Sequence, residues 1–189
     1  ALDEGVGVIT DESQVESLAG IMGGAATAVG DETQNVYIEA AFWLPDAIAG
    51  RARRFNFATD AGHRYERGVD FALPPQAVER VTELVLQICG GQAGPLDDDC
   101  IALPARAPVQ LRVARAAKVI GIPLTAAQCA DAFKRLGLPH QIEGDVISVT
   151  PPSYRFDLTI EADLIEEVVR MIGYQHLPLG APLAPTRAR

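Results

Sequence analysis

Several things are scarce in this chain, and each shortage removes a class of function. Three cysteines, Cys89, Cys100 and Cys129, are scattered, odd in number and without metal-ligand spacing, so neither a disulfide framework nor a zinc site is indicated. The first and last of them fall on apolar faces of predicted helices, where a free thiol behaves as a small hydrophobe. Reduced, cytoplasmic chemistry is the expectation. No apolar run approaches the ~20 residues of a membrane-spanning helix, and the opening Ala1-Leu-Asp-Glu4 lacks the basic start and apolar core of a signal peptide. Ala1 is not a start methionine, which suggests a piece of a longer chain. Basic charge is short in the first half: residues 1–106 hold 7 Lys+Arg against 17 Asp+Glu, whereas residues 107–178 hold 7 against 8. A general nucleic-acid-binding surface would be basic, so non-specific binding by the whole chain is not expected.

What is present fits a globular protein of one or two domains, with 189 residues, 48% of them hydrophobic and 22% charged. The first segment opens with strand-like runs, Val6 to Ile9 and Val36 to Phe42, separated by a glycine-rich stretch at Gly20, Gly23 and Gly24. A helix from Pro45 to about Arg54 follows, then an amphipathic helix from about Pro75 to Cys89, ended by Gly90-Gly91. Residues 95–106, rich in proline and acid, read as a linker between a domain at 1–94 and a second at 107–178, with a tail at 179–189. In the second domain a helix at Val113–Ile120 stops at Gly121. Thr125-Ala-Ala-Gln128 is a capping box opening a helix through Leu136. Gln141-Ile142 and Val146–Val149 flank Gly144 as a hairpin, and a last helix spans Glu161–Ile172. The fold class is therefore α+β: a mixed α/β first domain, and a small winged-helix-like α+β domain after it.

The first segment holds several candidates for chemistry. The glycine cluster has no Gly-Lys-Ser/Thr ending and no Rossmann spacing, leaving tight turns or a close approach of backbone to a ligand. Glu39 lies within an apolar strand pattern. It faces either solvent or the interior, and in the second case it must be hydrogen-bonded. Thr59 or Asp60 caps a short helix carrying His63, a lone histidine that reads as structural. Arg51, Arg53, Arg54, Arg64 and Arg67 suit either phosphate contact or pairing with neighbouring acids.

Near the other end, Asp157, Asp163, Glu166 and Glu167 fall within eleven residues. Turned at about 100° per residue, Leu164, Ile165, Val168, Val169 and Ile172 form a buried arc, and Asp163, Glu166 and Glu167 lie opposite. Oxygen ligands of this kind suit Mg²⁺. A solvated face, a favourable charge at the helix N-terminus, or a Glu166–Arg170 pair accounts for the same pattern.

Taken together, several strings resemble the β subunit of bacterial phenylalanyl-tRNA synthetases. They are Ala19-Gly-Ile-Met-Gly-Gly24, Asp31 to Glu39, Gly50-Arg-Ala-Arg-Arg54, Thr59-Asp-Ala-Gly-His-Arg-Tyr-Glu-Arg-Gly-Val-Asp70, Cys89-Gly-Gly91 and Tyr154 to Pro178. The resemblance covers nearly the whole chain. It implies that the first segment is part of an editing domain that hydrolyses tyrosine wrongly attached to the phenylalanine tRNA, with Gly23, Glu39, Thr59 and Ala61 around the pocket. In the family that domain begins upstream of the position matching Ala1, and the upstream part carries a histidine-bearing pocket wall, so the editing site here is expected to be incomplete. The resemblance places Asp157, Asp163, Glu166 and Glu167 as ligands of a Mg²⁺ shared with an α subunit, in an assembly of two α and two β chains. It also implies that ATP is used by the whole enzyme and is not bound by this piece, which would not aminoacylate alone. Nucleic-acid binding or subunit scaffolding, without hydrolysis, is the alternative for this chain.

Overall fold

A computed structural model describes residues 2–100 and 102–180, and the chain divides into two compact units, residues 1–105 and 106–189. Most of the expected tail, residues 181–189, lies outside the described residues.

In the first unit, strands β1 (Val8–Thr10), β2 (Val15–Leu18) and β3 (Met22–Gly23) form an antiparallel sheet in that order, with Val8 opposite Leu18 and Ser17 opposite Gly23. Asp11 fixes the first turn: its Oδ1 accepts from the backbone N–H groups of Ser13 at 2.7 Å and Gln14 at 2.8 Å, a local bond that short acidic side chains form readily. Helices α1 (Pro45–Ile48), α2 (Arg51–Arg54), α3 (Asp60–Tyr65) and α4 (Pro74–Cys89) follow. Ile21, Ile48 and Ala52 are buried together, with Leu18, Trp43, Phe57 and Tyr65 packed against them.

Two expectations for this unit are corrected. Val36–Phe42 pairs with no strand among the described residues, and Tyr37 is 92% exposed. An apolar run makes a strand only where another edge supplies hydrogen bonds. The helix expected from Pro45 to Arg54 is two helices, because Gly50 turns left-handed at φ 76° and ends the first.

The second unit contains β4 (Val109–Arg112), α5 (Val113–Ile120), α6 (Ala126–Arg135), β5 (His140–Glu143), β6 (Val146–Val149) and α7 (Glu161–Ile172). Strand β6 lies between β4 and β5, antiparallel to both, with Ile147 opposite Leu111 and Ile142. The capping box forms as expected: Thr125 Oγ1 accepts from Gln128 N, and Gln128 Oε1 accepts from Thr125 N at 2.9 Å. The sequence reading missed β4, whose four residues carry no turn signal before α5 begins. Leu111, Cys129, Phe133, Ile147, Val149, Leu164 and Val168 are essentially inaccessible to water. Helices α5 and α6 with the β5–β6 hairpin give the winged-helix outline, so both units are mixed α and β. No helix among the described residues is long and apolar enough to cross a membrane.

Candidate functional site

Of the four first-unit candidates, Thr59 and Ala61 lie at the start of α3, and Gly23 and Glu39 lie on segments that hydrogen-bond to it. Thr59 caps this helix: its Oγ1 accepts from Gly62 N at 3.0 Å and donates to the carbonyl of Ile21 at 2.8 Å. One hydroxyl therefore closes the helix start and ties it to the turn between β2 and β3. Gly23 lies two residues past that tie, is exposed, and has nothing within 4 Å of where a Cβ would stand. Its neighbour Gly24 is different, since a Cβ there would meet the Glu16 carbonyl oxygen at 2.7 Å. Gly24 is thus required by the sheet, whereas Gly23 leaves open space. Ala61, in the first turn of α3, is half-buried.

At the other end of α3, Tyr65 Oη donates to the Ala41 carbonyl at 2.9 Å. This bond pins the unpaired 35–44 segment, and with it Glu39. The Glu39 side chain is exposed overall, yet the protein beside it withdraws enough water to raise its carboxyl above the ordinary value. Burial and the nearby Glu39 charge together push the Tyr65 phenol up. The sequence reading did not single out Tyr65. A tyrosine one helical turn and a half after a cap gives no signal of which carbonyl it will reach.

Four of the five candidate arginines, Arg51, Arg54, Arg64 and Arg67, are engaged within this unit, and Arg53 is exposed. Arg54 pairs with Asp3 at 2.6 Å, Arg67 with Glu66 at 2.6 Å and Arg64 with Asp60 at 3.5 Å. Arg51 donates to the carbonyls of Gly5 and Ala49. A hollow lined by Asp3, Gly5, Gly50, Arg51 and Arg54 contains none of the four candidates. The His63 side chain is exposed.

In the second unit the candidate carboxylates are held by arginines. Arg155 forks onto Asp157, with Nε to Oδ1 at 2.9 Å and Nη2 to Oδ2 at 2.7 Å, and Nη2 also reaches Glu167 Oε1 at 2.8 Å. Glu167 Oε2 accepts from Arg170. The Arg155 bond holds the Asp157 carboxyl below its usual range. Burial would raise Glu167, but Arg155 and Arg170 outweigh it and lower its pKa. Asp163 reaches back over the start of α7, its Oδ2 accepting from the Thr159 and Ile160 N–H groups at 2.8 Å each. Glu166 is exposed. The structure thus brings Asp157 and Glu167 together through Arg155, while Asp163 is engaged at the start of α7 and Glu166 has no hydrogen-bond partner among the described residues. Among the described residues no group of three acids, histidines or cysteines is arranged to hold a metal ion. As arranged here, the four residues do not fit Mg²⁺.

Glu161, not a candidate, is the most strongly bound acid of the unit. It accepts from Arg112 N at 2.9 Å, Arg112 Nε at 3.0 Å and Arg112 Nη2 at 2.6 Å, with Arg115 at 3.2 Å. The Arg112 bond brings its pKa down to about 2. It fastens α7 to the junction of β4 and α5, a structural role.

Comparison with known proteins now separates the two units by family. Residues 1–90 match the B3/4 domain, and residues 109–174 match the tRNA synthetase B5 domain. The chain is 59% identical over 188 residues to the phenylalanine–tRNA ligase β subunit of Ralstonia nicotianae, covering all of this chain and 23% of that protein. It is 58% identical over 188 residues to that of Burkholderia lata, again covering all of this chain and 23% of the relative. To that of Bordetella pertussis it is 58% identical over 184 residues, covering 97% of this chain and 23% of the relative. With both domains matched in order and the whole length aligned, the chain belongs to the phenylalanine–tRNA ligase β-subunit family, whose members it spans for about a quarter of their length.

Proposed function

We propose that this chain serves hydrolytic editing of tyrosyl-tRNA(Phe) through its first unit and assembly with an α subunit through its second, within an ATP-dependent, cytoplasmic phenylalanine–tRNA ligase. The observation that carries the editing reading is the pair of ties on α3. Thr59 to Ile21 and Tyr65 to Ala41 draw the segments of Gly23, Ala61 and Glu39 to one helix.

Tyrosine differs from phenylalanine by a hydroxyl, and an apolar synthetic pocket rejects an added hydroxyl by only about 10²-fold. A second site that demands the hydroxyl supplies the missing discrimination. Glu39, with its carboxyl partly withdrawn from water, can accept a hydrogen bond from the phenol. A phenylalanyl ring seated over it would take away its water and offer no partner, at about 1–3 kcal/mol. The open space at Gly23 and the small Ala61 leave room for a ring. The reaction breaks the ester between the amino acid and the terminal ribose of the tRNA. Water adds its OH to the acyl carbon and its proton goes to the ribose oxygen. No nucleophile-and-base pair lies among the candidates, so hydrolysis rests on positioned water and fixed dipoles.

For the second unit, the assembly role is supported by Tyr154, Phe156 and Ile160, exposed apolar side chains on the segment leading into α7. Nucleic-acid binding is less favoured, because residues 107–178 hold 7 basic against 8 acidic side chains and four of the basic ones, Arg112, Arg115, Arg155 and Arg170, are paired with acids. The proposed Mg²⁺ belongs to the assembled enzyme alone.

The test is hydrolysis of tyrosyl-tRNA(Phe) and phenylalanyl-tRNA(Phe) by the complete two-subunit enzyme carrying Glu39→Ala. Selective loss of tyrosyl-tRNA hydrolysis, with aminoacylation intact, is expected. Unchanged hydrolysis would remove Glu39 from the pocket.

A further inference from the structure

We infer that Arg155 is the resident counter-ion of Asp157 and Glu167, and that this chain on its own holds no divalent cation at those carboxylates until the arginine lets go. Every oxygen of the two carboxylates already faces a guanidinium N–H: Arg155 serves both Asp157 oxygens and one of Glu167, and Arg170 serves the other. Arg155 and Glu167 are shielded at the centre of the cluster, their side chains 18% and 9% exposed, while Asp157 and Arg170 at its rim are about half in water. Charges so placed persist only when paired. The loop bearing Arg155 is itself anchored. Arg106 Nη2 donates to the carbonyls of Arg155 at 2.6 Å and Leu158 at 3.0 Å, fixing the turn from which the fork extends.

A Mg²⁺ ion demands near-octahedral oxygens at close range. It would stand within a few ångströms of the guanidinium and be repelled by it, so cation and arginine exclude each other. The other two acids offer no substitute. Asp163 Oδ2 is committed to Thr159 and Ile160, and Glu166 alone, exposed on the surface, is not a chelate. A flat guanidinium fork suits two carboxylates better than a lysine would, which makes the exchange specific to this residue. The proposed Mg²⁺ assignment enters only by naming the ion that would compete.

The experiment is calorimetric titration of the 189-residue chain with Mg²⁺, together with thermal unfolding of wild type, Arg155→Gln and Arg155→Lys. Wild type is expected to give no stoichiometric binding and no shift of midpoint at millimolar Mg²⁺. Arg155→Gln leaves two acids unpaired and should unfold on the order of 10 °C lower. Millimolar Mg²⁺ should restore part of that loss, and sodium at equal ionic strength should not. Arg155→Lys keeps the charge, unfolds between the two, and stands in if Arg155→Gln does not fold. Its ammonium, a point charge on a flexible stem, cannot fork onto both carboxylates and can swing aside, so it should gain from Mg²⁺ by less than Arg155→Gln does.

One-to-one Mg²⁺ binding by wild type overturns the inference, as does a variant midpoint indifferent to the divalent ion. Metal analysis of the complete two-subunit enzyme separates this from the assignment it rests on. Mg²⁺ in both enzyme and isolated chain defeats the counter-ion inference alone. Mg²⁺ in neither, with rescue of the variants intact, supports the counter-ion and defeats the Mg²⁺ assignment alone.

Discussion

The two units of this chain are similar in length but spend their apolar residues differently. The second gathers Leu111, Phe133, Ile147, Leu164, Val168 and their neighbours into one core walled by a sheet and three helices. The first buries Ile21, Ile48 and Ala52 as a cluster and leaves Val36, Tyr37, Leu73, Val81, Leu84 and Ile88 at its surface. Along α4 only Val78 is buried, although Val81, Leu84, Val85 and Ile88 continue its stripe. A stripe at helical spacing is built to be covered, and no described residue covers this one. Acids differ in the same way. In the second unit Asp157, Glu161 and Glu167 are lowered by arginines, as Asp3 is by Arg54 in the first, whereas Glu39 in the first is raised by loss of water without a cation. The second unit has one full core with exposed apolar groups on the lead-in to α7, whereas the first has a small cluster and a helix stripe left largely open.

The sharpest way to break this contrast is to hollow both cores. Phe133→Ala should destabilise the second unit by about 3–5 kcal/mol in chemical denaturation, from lost burial plus a cavity. Ile48→Ala should remove about 2 kcal/mol from the first, since a shallow cluster collapses more easily. Equal losses would mean that the two cores are equivalent. Next, acid should act on the second unit through Glu161. Its pKa is about 2 folded and near 4.5 unfolded, so the stabilisation is complete above 4.5 and disappears as the pH falls through 2. Its arginine partners are half in water, so screening reduces this to on the order of 1 kcal/mol. Asp157 and Glu167, also lowered, add in the same direction. Glu161→Gln should flatten that acid limb in a pH series of unfolding midpoints. Removal of the capping hydroxyl in Thr125→Ala should cost about 1 kcal/mol, read by hydrogen exchange at the start of α6. Smallest of all, Ile88→Lys on the bare face of α4 should change the stability of this chain by no more than about 0.5 kcal/mol. A larger loss would show that the stripe is covered.

Legibility in the sequence follows the same divide. In the second unit the capping box at Thr125, the glycine stop at Gly121 and the hairpin around Gly144 are local signals, and the elements formed where those residues stand. Strand β4 was missed because its partner, β6, lies more than thirty residues away. In the first unit the apolar run at Val36–Phe42 formed no ladder, since a strand is a property of two edges. The site divided likewise. The resemblance named Gly23, Glu39, Thr59 and Ala61, but only the fold revealed that the Thr59 hydroxyl serves Ile21 and that Tyr65 holds the Glu39 segment. The acidic face of α7 was visible at once, while the arginine from a preceding loop that neutralises it was not.

By itself the sequence determined the family, through strings long enough to be specific, and the helices, through caps and periodicity that act within a few residues. The tertiary structure decided which charges are free. Asp157 and Glu167 carry the same carboxylate as any exposed acid, and what they can bind depends on the guanidinium set against them, a matter of distance in space that spacing along the chain does not encode.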